Sequence, residues 1–371
     1  MLPVAVAWAL ALPHAEAVHP KRLELIAEVE ATPGLLWRPV AQARFAAKAP
    51  GASLRANGIL SNGLDGKPTW WDDIEAAVAS GKATRFASRR YRDADIPTSF
   101  DSADAWPRCA KLIGDIRDQS DCGCCWAFAG VEAASDRMCI ATNGTVITPL
   151  SAQDICFCSS WNGCNGGDIL TPWQWISHYG AVSGGQVNGS GPYAAEGLCS
   201  SFSLPHCHHH GPLHGDPYPA EKSAGCPKQT SAICPKACDS DASPEHRAFA
   251  ADKVVFDGDV ETARGEPEIQ KMILEGGPVE AGFNVFEDFE DYGGGIYHYV
   301  KGRAIGAHAI KIVGWGVEGG VKYWKVANSW NKYWGEEGYF RILRGKNMVG
   351  IEAAATAAPA SATWRKKQAA A

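Results

Sequence analysis

Three residue types in this 371-residue chain could together carry out nucleophilic chemistry on a carbonyl: a thiol, an imidazole and a side-chain amide. The thiol lies in the run Gln119-Ser120-Asp121-Cys122-Gly123-Cys124-Cys125-Trp126-Ala127-Phe128-Ala129. Small and polar residues there precede a helical pattern reaching about Ile140. Trp126, Ala129, Ala133 and Arg137 form one stripe, and Val131, Ala134 and Met138 extend the apolar face. Cys125 is therefore expected at a helix N-terminus. The helix dipole there favours negative charge, and a nearby histidine lowers a thiol pKa further. The thiolate is the attacking form. The competing reading makes Cys125 one more disulfide half.

The imidazole is His308, in Gly306-Ala307-His308-Ala309-Ile310-Lys311-Ile312-Val313-Gly314-Trp315-Gly316, which reads as a strand ending in a glycine turn. A second strand, Lys322 to Ala327, leads into Asn328-Ser329-Trp330, and a third runs from Gly338 to Leu343. Taken singly, His308 reads as a structural histidine and Asn328 as a turn residue. Strands must carry these two, whereas a helix must carry Cys125.

Hydrophobic residues make up 46% of the chain and charged residues 20%, the composition of a globular protein, and 14 Trp, 12 Phe and 10 Tyr argue against general disorder. The formal net charge of −6 gives no support to a nucleic-acid binder or a polybasic membrane binder. Thirteen cysteines suggest an oxidising compartment, and the odd count implies a leftover thiol.

The apolar run Met1 to Leu12 is shorter than the roughly 20 residues of a membrane span. It ends near Ala15-Glu16-Ala17, so residues 1–17 are expected to be a signal peptide. The alternative is a buried N-terminal helix. Residues 18–95 hold no cysteine, show helical spacing at Leu23, Ile26 and Val29 and at Ile74, Ala77 and Val78, and end in the basic run Arg85 to Arg92. They are expected to be a removable pro-segment rather than an ordinary N-terminal domain. A cysteine-rich body over 96–358 and a disordered tail over 359–371 complete the chain. Asn143 and Asn188 begin glycosylation sequons, which fit a secretory route.

The Gln119–Ala129 run resembles the active-site signature of papain-like cysteine peptidases, with Cys124 in the small-residue position before the nucleophile. Trp126-Ala127-Phe128 sets the register and makes Cys125 the nucleophile. The resemblance implies a Cys-His-Asn arrangement of Cys125, His308 and Asn328. In it His308 exchanges a proton with Cys125 and protonates the leaving amine, and Asn328 holds the imidazole in its working tautomer. Gln119 and the backbone N–H of Cys125 would donate to the developing oxyanion, each donor contributing roughly 2.7–4 kcal/mol. Gly166, Gly167 and Ala309 would contact an extended peptide, and Trp330 would shield the Asn–His bond.

His308 follows Cys125 by 183 positions, against roughly 130–150 in the plain family pattern. The surplus lies in a cysteine- and histidine-rich stretch over about 199–238, which resembles the occluding loop of cathepsin B-like peptidases. Ile96-Pro97-Thr98-Ser99-Phe100-Asp101, Ser135-Asp136-Arg137, Cys164-Asn165-Gly166-Gly167 and Leu343-Arg344-Gly345 extend the likeness over most of the body. The resemblance implies that His209 and His210 bind a substrate's terminal carboxylate, with pH-dependent grip, and that Asp118 pairs with His209. A zinc site built from Cys207 with His208, His209, His210 or His214 is the competing reading of the cluster, although adjacent ligands are unlike the usual spacing. No metal or cofactor is expected. The sequence departs from the pattern at Gly215 and Tyr333, where an Arg–Asp contact would anchor the loop. It departs again at Ala354, where a carboxylate would accept a basic side chain, so an apolar or aromatic preference is expected. The third departure is Cys156-Phe157-Cys158, in place of adjacent cysteines.

The same resemblance implies the pairs Cys109–Cys139, Cys122–Cys164, Cys199–Cys238 and Cys207–Cys226, with Cys234 joined to Cys156 or Cys158. Cys124 and one of the latter two are left beside Cys125, and their pairing with each other stays open. The implied fold is α+β and papain-like, with a helical left lobe, a β-barrel-like right lobe and the site between them. The implied function is that of a cysteine endopeptidase and peptidyl-dipeptidase of the lysosome, vacuole or extracellular space, made as a zymogen. Its partners would be peptide and protein substrates, its own pro-segment as inhibitor and cystatin-like inhibitors. The alternative is a catalytically silent, disulfide-rich peptide-binding homologue.

Overall fold

Glycine-punctuated apolar runs in the C-terminal half become strands, and the first part of the cysteine-rich body becomes helices. The computed structural model describes residues 18–53, 57–59, 70–186, 192–193, 195–204 and 229–367. The stretch before residue 96 contributes α1 (Pro20–Glu30), β1 (Trp37–Pro39), α2 (Trp70–Ala79) and β2 (Thr84–Arg85). The body opens with β3 (Phe100–Asp101), α3 (Ser102–Ala105), α4 (Ala110–Ile113), α5 (Cys125–Ala141), α6 (Ala152–Cys158) and α7 (Thr171–His178). It continues through α8 (Phe249–Asp252), β4 (Val254–Asp257), β5 (Glu261–Ala263), α9 (Glu266–Gly276), β6 (Val279–Phe286), β7 (Tyr292–Tyr297) and β8 (Ala304–Glu318). Last come β9 (Val321–Ala327), β10 (Tyr339–Leu343), β11 (Ala355–Ala357) and β12 (Thr363–Lys366).

The sheet runs β1-β7-β10-β9-β8-β6-β11-β5-β2, with β3 on β8, and β12 and β4 form a separate pair. This is the α+β arrangement expected from the sequence. Both end strands of the large sheet come from the stretch before residue 96. β1 lies antiparallel on β7 and β2 parallel on β5, so that stretch covers both edges with backbone hydrogen bonds. Trp37 and Phe86 are buried there, and Leu25 and Val29 of α1 and Ile74 and Ala77 of α2 face the core. Leu23, on the expected apolar stripe, points outward. The buried polar residue of α1 is Arg22, whose Nη2 and Nη1 donate to Glu290 at 2.9 Å and to Asp291 at 2.8 Å.

Helix α5 is buried from Cys125 to Cys139, so its polar residues need partners inside the protein. Arg137 donates to the backbone carbonyls of Pro278, Ala358, Met272 and Gly277. Asp136 accepts from Lys311 of β8 at 2.8 Å, and Glu132 lies 3.9 Å from the same ammonium. Burial pushes Glu132 up to about 7 and Asp136 up to about 6, against the pull of Lys311 and Arg117. This network joins the helix of Cys125 to the strand of His308.

One sequence expectation changes and one open alternative is decided. The tail is not wholly disordered: Thr363–Lys366 forms β12, with Trp364 packed on Phe256 at 5.1 Å between ring centroids and Arg365 paired to Asp257. Alanine-rich flanks obscure a four-residue strand whose partner lies a hundred residues upstream. Cys234 takes Cys158, not Cys156. Two residues on a helix lie about 200° apart, so Cys158 faces the Cys234 segment while Cys156 turns into the core. The pairs Cys109–Cys139, Cys122–Cys164 and Cys199–Cys238 are as the resemblance implies. Cys207 and Cys226 lie outside the described residues.

Candidate active site

Cys124 is the N-cap of α5 and Cys125 its first residue, as the helical pattern requires. His308 is on β8 and Asn328 directly follows β9, which is paired antiparallel to β8. The loop before α5 is zipped to the loop after β9. Gln119 N–H donates to Ser329 O at 2.9 Å and Asn331 N–H to Arg117 O at 3.0 Å. This ladder carries Gln119 and Asn328 to the same place from opposite ends of the body.

Asn328 Oδ1 accepts from Ser329 N–H at 2.8 Å and stands 2.7 Å from His308 Nε2. An oxygen already accepting from an amide requires a donor from the ring, so Nε2 carries the proton. Nδ1 then offers its lone pair, and it is buried without a hydrogen-bond partner. Trp330 stacks on the imidazole at 4.8 Å and 30°, excluding water from the Asn–His bond. Ser329 Oγ donates to Gln119 Oε1 at 2.6 Å, while Gln119 Nε2 donates to Cys122 O at 2.9 Å. The amide is thereby locked with its nitrogen toward the loop that precedes Cys125. Ser329 was not singled out in the sequence, although its place between Asn328 and Trp330 is the signal that would have found it.

Two backbone N–H groups donate to Cys125 Sγ, Ala309 N at 3.3 Å and Gly58 N at 3.2 Å. The second comes from the stretch before residue 96. That stretch lies in extended form across the site: Ile59 N–H donates to Ala307 O at 3.0 Å and Gly167 N–H to Gly58 O at 2.9 Å. Gly167 thus pairs with extended backbone, and Gly166 turns beside it at φ 113°, a conformation that favours glycine. Ile59 and Trp70 press on Gly282, the neighbour of Ala309 across β6 and β8. Ala354 is buried next to β11.

Covered in this way, both groups are drawn toward their neutral forms. Burial pushes the Cys125 thiol up to about 12, against the pull of the backbone N–H groups of Ala309, Gly58 and its neighbour Trp126, with Glu280 adding to the rise. Burial takes His308 down to about 3, and Arg44 pushes the same way. Excluding water from the covered site disfavours both the thiolate and the imidazolium.

Asp118 accepts from Arg44 at 3.1 Å, Ser120 N–H at 2.7 Å and Asn331 Nδ2 at 3.0 Å. Its expected partner His209, with His210, Gly215 and the rest of the 205–228 segment, lies outside the described residues, as does Asn188. Tyr333 follows Asn331, whose Oδ1 accepts its N–H at 2.8 Å. Asn143 is exposed at φ 52°, in the turn that ends α5. Among the described residues, one group has metal-ligand proximity, the sulfurs of Cys122, Cys156 and Cys164. Two of these are joined to each other and cannot act as thiolate ligands.

Comparison with known proteins agrees with this geometry. The chain is 44% identical over 269 residues to cathepsin B-like cysteine proteinase 5 of Caenorhabditis elegans, an alignment covering 71% of this chain and 74% of that one. It is 45% identical over 267 residues to cathepsin B-like cysteine proteinase 6 of the same organism, covering 70% and 65%. Its structure resembles that of procathepsin B S9 from Trypanosoma congolense, with a TM-score of 0.64, 26% identity and coverage of 93% and 99%. Because the model of the papain family cysteine proteases also matches residues 96–359, this chain belongs to that family, in its cathepsin B-like branch, and is a cysteine-type peptidase with a proform-like fold.

Proposed function

We propose that the full chain is the latent form of a peptidase that cuts within chains and also removes C-terminal dipeptides, with Cys125 as nucleophile. The observation that carries this reading is the position of Cys125 Sγ: it accepts a backbone N–H from β8 beside His308, whose Nε2 is tied to Asn328. With Nε2 protonated, Nδ1 is the nitrogen left to take the thiol proton. The thiolate adds to the peptide carbonyl, and the oxyanion takes hydrogen bonds from Gln119 and the Cys125 N–H. The imidazolium protonates the departing amine, leaving a thioester. Water, deprotonated by His308, then hydrolyses the thioester.

Residues 18–95 act as the inhibitor in this reading, and Gly58–Ile59 occupies the substrate's place between Gly167 and Ala307. The change from pro-segment to body falls near Arg92, which is exposed and paired to Asp95, three positions on. Arg44 leaves with the pro-segment, which opens Asp118 to His209, and His209 and His210 then grip a C-terminal carboxylate. Ile59 and Trp70 against Gly282, and Ala354 in place of an acid, support an apolar or aromatic second subsite. Residues 1–17 as a leader, disulfides and the exposed Asn143 fit passage to a lysosome, vacuole or the exterior, where cystatin-like inhibitors would meet the enzyme. No helix among the described residues is long and apolar enough to cross a membrane.

The test is digestion of a peptide library at pH 4–8, read by mass spectrometry, with the processed protein and its Cys125→Ser variant. Products shortened by two residues from the C-terminus are expected with apolar residues at the second subsite, and none from the variant. Exclusively internal cuts remove the carboxylate-binding role of His209 and His210, and undiminished cleavage by the variant removes Cys125 as nucleophile.

A further inference from the structure

Four sulfurs gather beneath the nucleophile. Cys122 and Cys164 are joined. Cys124 Sγ lies 3.3 Å from Cys122 Sγ. Cys156 Sγ is within 4.8 Å of both Cys122 and Cys164 Sγ and in side-chain hydrogen-bond contact with Cys124. Cys124 and Cys156 are both unpaired and wholly buried. Neither is used by the reaction, because the nucleophile is their neighbour Cys125.

The surroundings hold the two thiols together. Cys124 is pinned by a 2.7 Å hydrogen bond from its N–H to Cys122 O, and it caps α5, the helix of the nucleophile. Cys156 faces it from α6 because its other neighbour, Gly163, has no side chain. A Cβ at position 163 would lie 2.7 Å from Cys156 Sγ and 2.1 Å from its carbonyl oxygen. A glycine is therefore required for Cys156 to sit where it does.

We infer that Cys124 and Cys156 are a disulfide site, closed during folding to clamp the N-cap of the catalytic helix to α6. The reaction is a two-electron oxidation by a low-molecular-weight disulfide such as oxidised glutathione. One thiolate attacks it, giving a mixed disulfide and one released thiol. The second thiolate then attacks the protein sulfur of that mixed disulfide, forming the Cys124–Cys156 bond and releasing a second thiol. The two protons of the protein thiols end on the two released thiols. Closure must precede burial, because the folded core admits no oxidant and burial pushes the Cys124 thiol well above its ordinary pKa.

The cysteine count supports this assignment. Four pairs are formed among the described residues. With Cys207–Cys226 as the family resemblance implies and Cys124–Cys156 added, every cysteine of the 13 is paired except Cys125. The odd count of a chain from an oxidising compartment then has one cause, the nucleophile itself.

The test uses the full chain carrying Cys125→Ser, folded with oxidised and reduced glutathione, denatured without reductant, alkylated and mapped by mass spectrometry. The expected result is no alkylated thiol and a linked peptide pair containing Cys124 and Cys156. Adding Cys156→Ser should make Cys124 alkylatable, raising the thiol count from none to one. Alkylation of both Cys124 and Cys156 in the Cys125→Ser chain overturns the proposal. So does a linkage of Cys124 to Cys122, or a metal ion retained by the four sulfurs. An unpaired Cys207 or Cys226 would appear in its own peptide and is thereby separable. The mapping does not depend on peptidase activity, so it stands or falls apart from the functional reading.

Discussion

At the scale of single residues, the site is a set of oriented amides and one uncommitted imidazole nitrogen. Asn328 is fixed by Ser329 N–H and so dictates the tautomer of His308, while Ser329 Oγ aims Gln119. The two roles separate kinetically. Replacing Gln119 by Ala removes a transition-state donor and should lower kcat about 10²–10³-fold with KM nearly unchanged. Replacing Ser329 by Ala removes only the bond that aims the amide, about 0.5–1.5 kcal/mol, and should cost up to about tenfold in kcat. Steady-state kinetics on the processed enzyme measure both, and equal losses would contradict the hierarchy. That Cys125, His308, Asn328 and Gln119 come together was legible in the sequence, through the family resemblance of four short patterns in order. Ser329's part was not, since a serine after a strand has many uses until its Oγ is seen against Gln119.

At the scale of elements, two contacts hold the site in register. The first is the passage of residues 57–59 over the loop that precedes Cys125. A Cβ on Gly58 would lie 2.0 Å from Gly123 O, a clash that backbone cannot relieve without moving. Gly58→Ala should therefore lift this segment and speed alkylation of Cys125 in the full chain at neutral pH at least tenfold, the factor that corresponds to about 1.4 kcal/mol. Timed labelling followed by peptide mapping checks this, and an unchanged rate would mean that the segment is held elsewhere. The second is the Lys311 contact with Asp136 and Glu132 between β8 and α5. Lys311→Met leaves two buried carboxyls without their ammonium and should destabilise the fold by about 3–5 kcal/mol, read from the urea midpoint. A shift under about 1 kcal/mol would show that the carboxyls simply take up protons. The apolar patterns foretold α5 and β8, but not that a lysine in the middle of β8 reaches into the helix.

At the scale of the whole molecule, closure of the site by residues 18–95 is linked to pH with a definite sign. In the closed form burial holds His308 neutral, its pKa down at about 3. An exposed imidazole takes a proton near pH 6.5. Closure therefore releases a proton: its contribution is complete above pH 6.5 and is lost as pH falls toward 3. Asp291, raised by burial to about 7 despite Arg22, acts in the opposite sense, stabilising the closed form at low pH and losing that effect as pH rises through 7. In the full chain carrying Cys125→Ser, susceptibility of residues 18–95 to an added peptidase should rise as pH falls from 7 to 4. His308→Gln should flatten that rise and Asp291→Asn steepen it. A profile indifferent to His308→Gln would remove the imidazole from the closure equilibrium.

Residue order alone determined the helix that begins at Cys125, the strand of His308 and the strand that leads into Asn328. These follow from local periodicity, which operates within a few turns or strands of chain, whereas three disulfides were implied by the family resemblance. Only the tertiary structure decided which of Cys156 and Cys158 meets Cys234, that residues 363–366 form a strand, and that burial disfavours charge on both the covered thiol and the imidazole. Each of these depends on what a distant segment brings alongside. Helix phase turns one cysteine away from its partner, a strand needs a second strand for its hydrogen bonds, and a charge is favoured or refused according to how much water the folded chain leaves beside it.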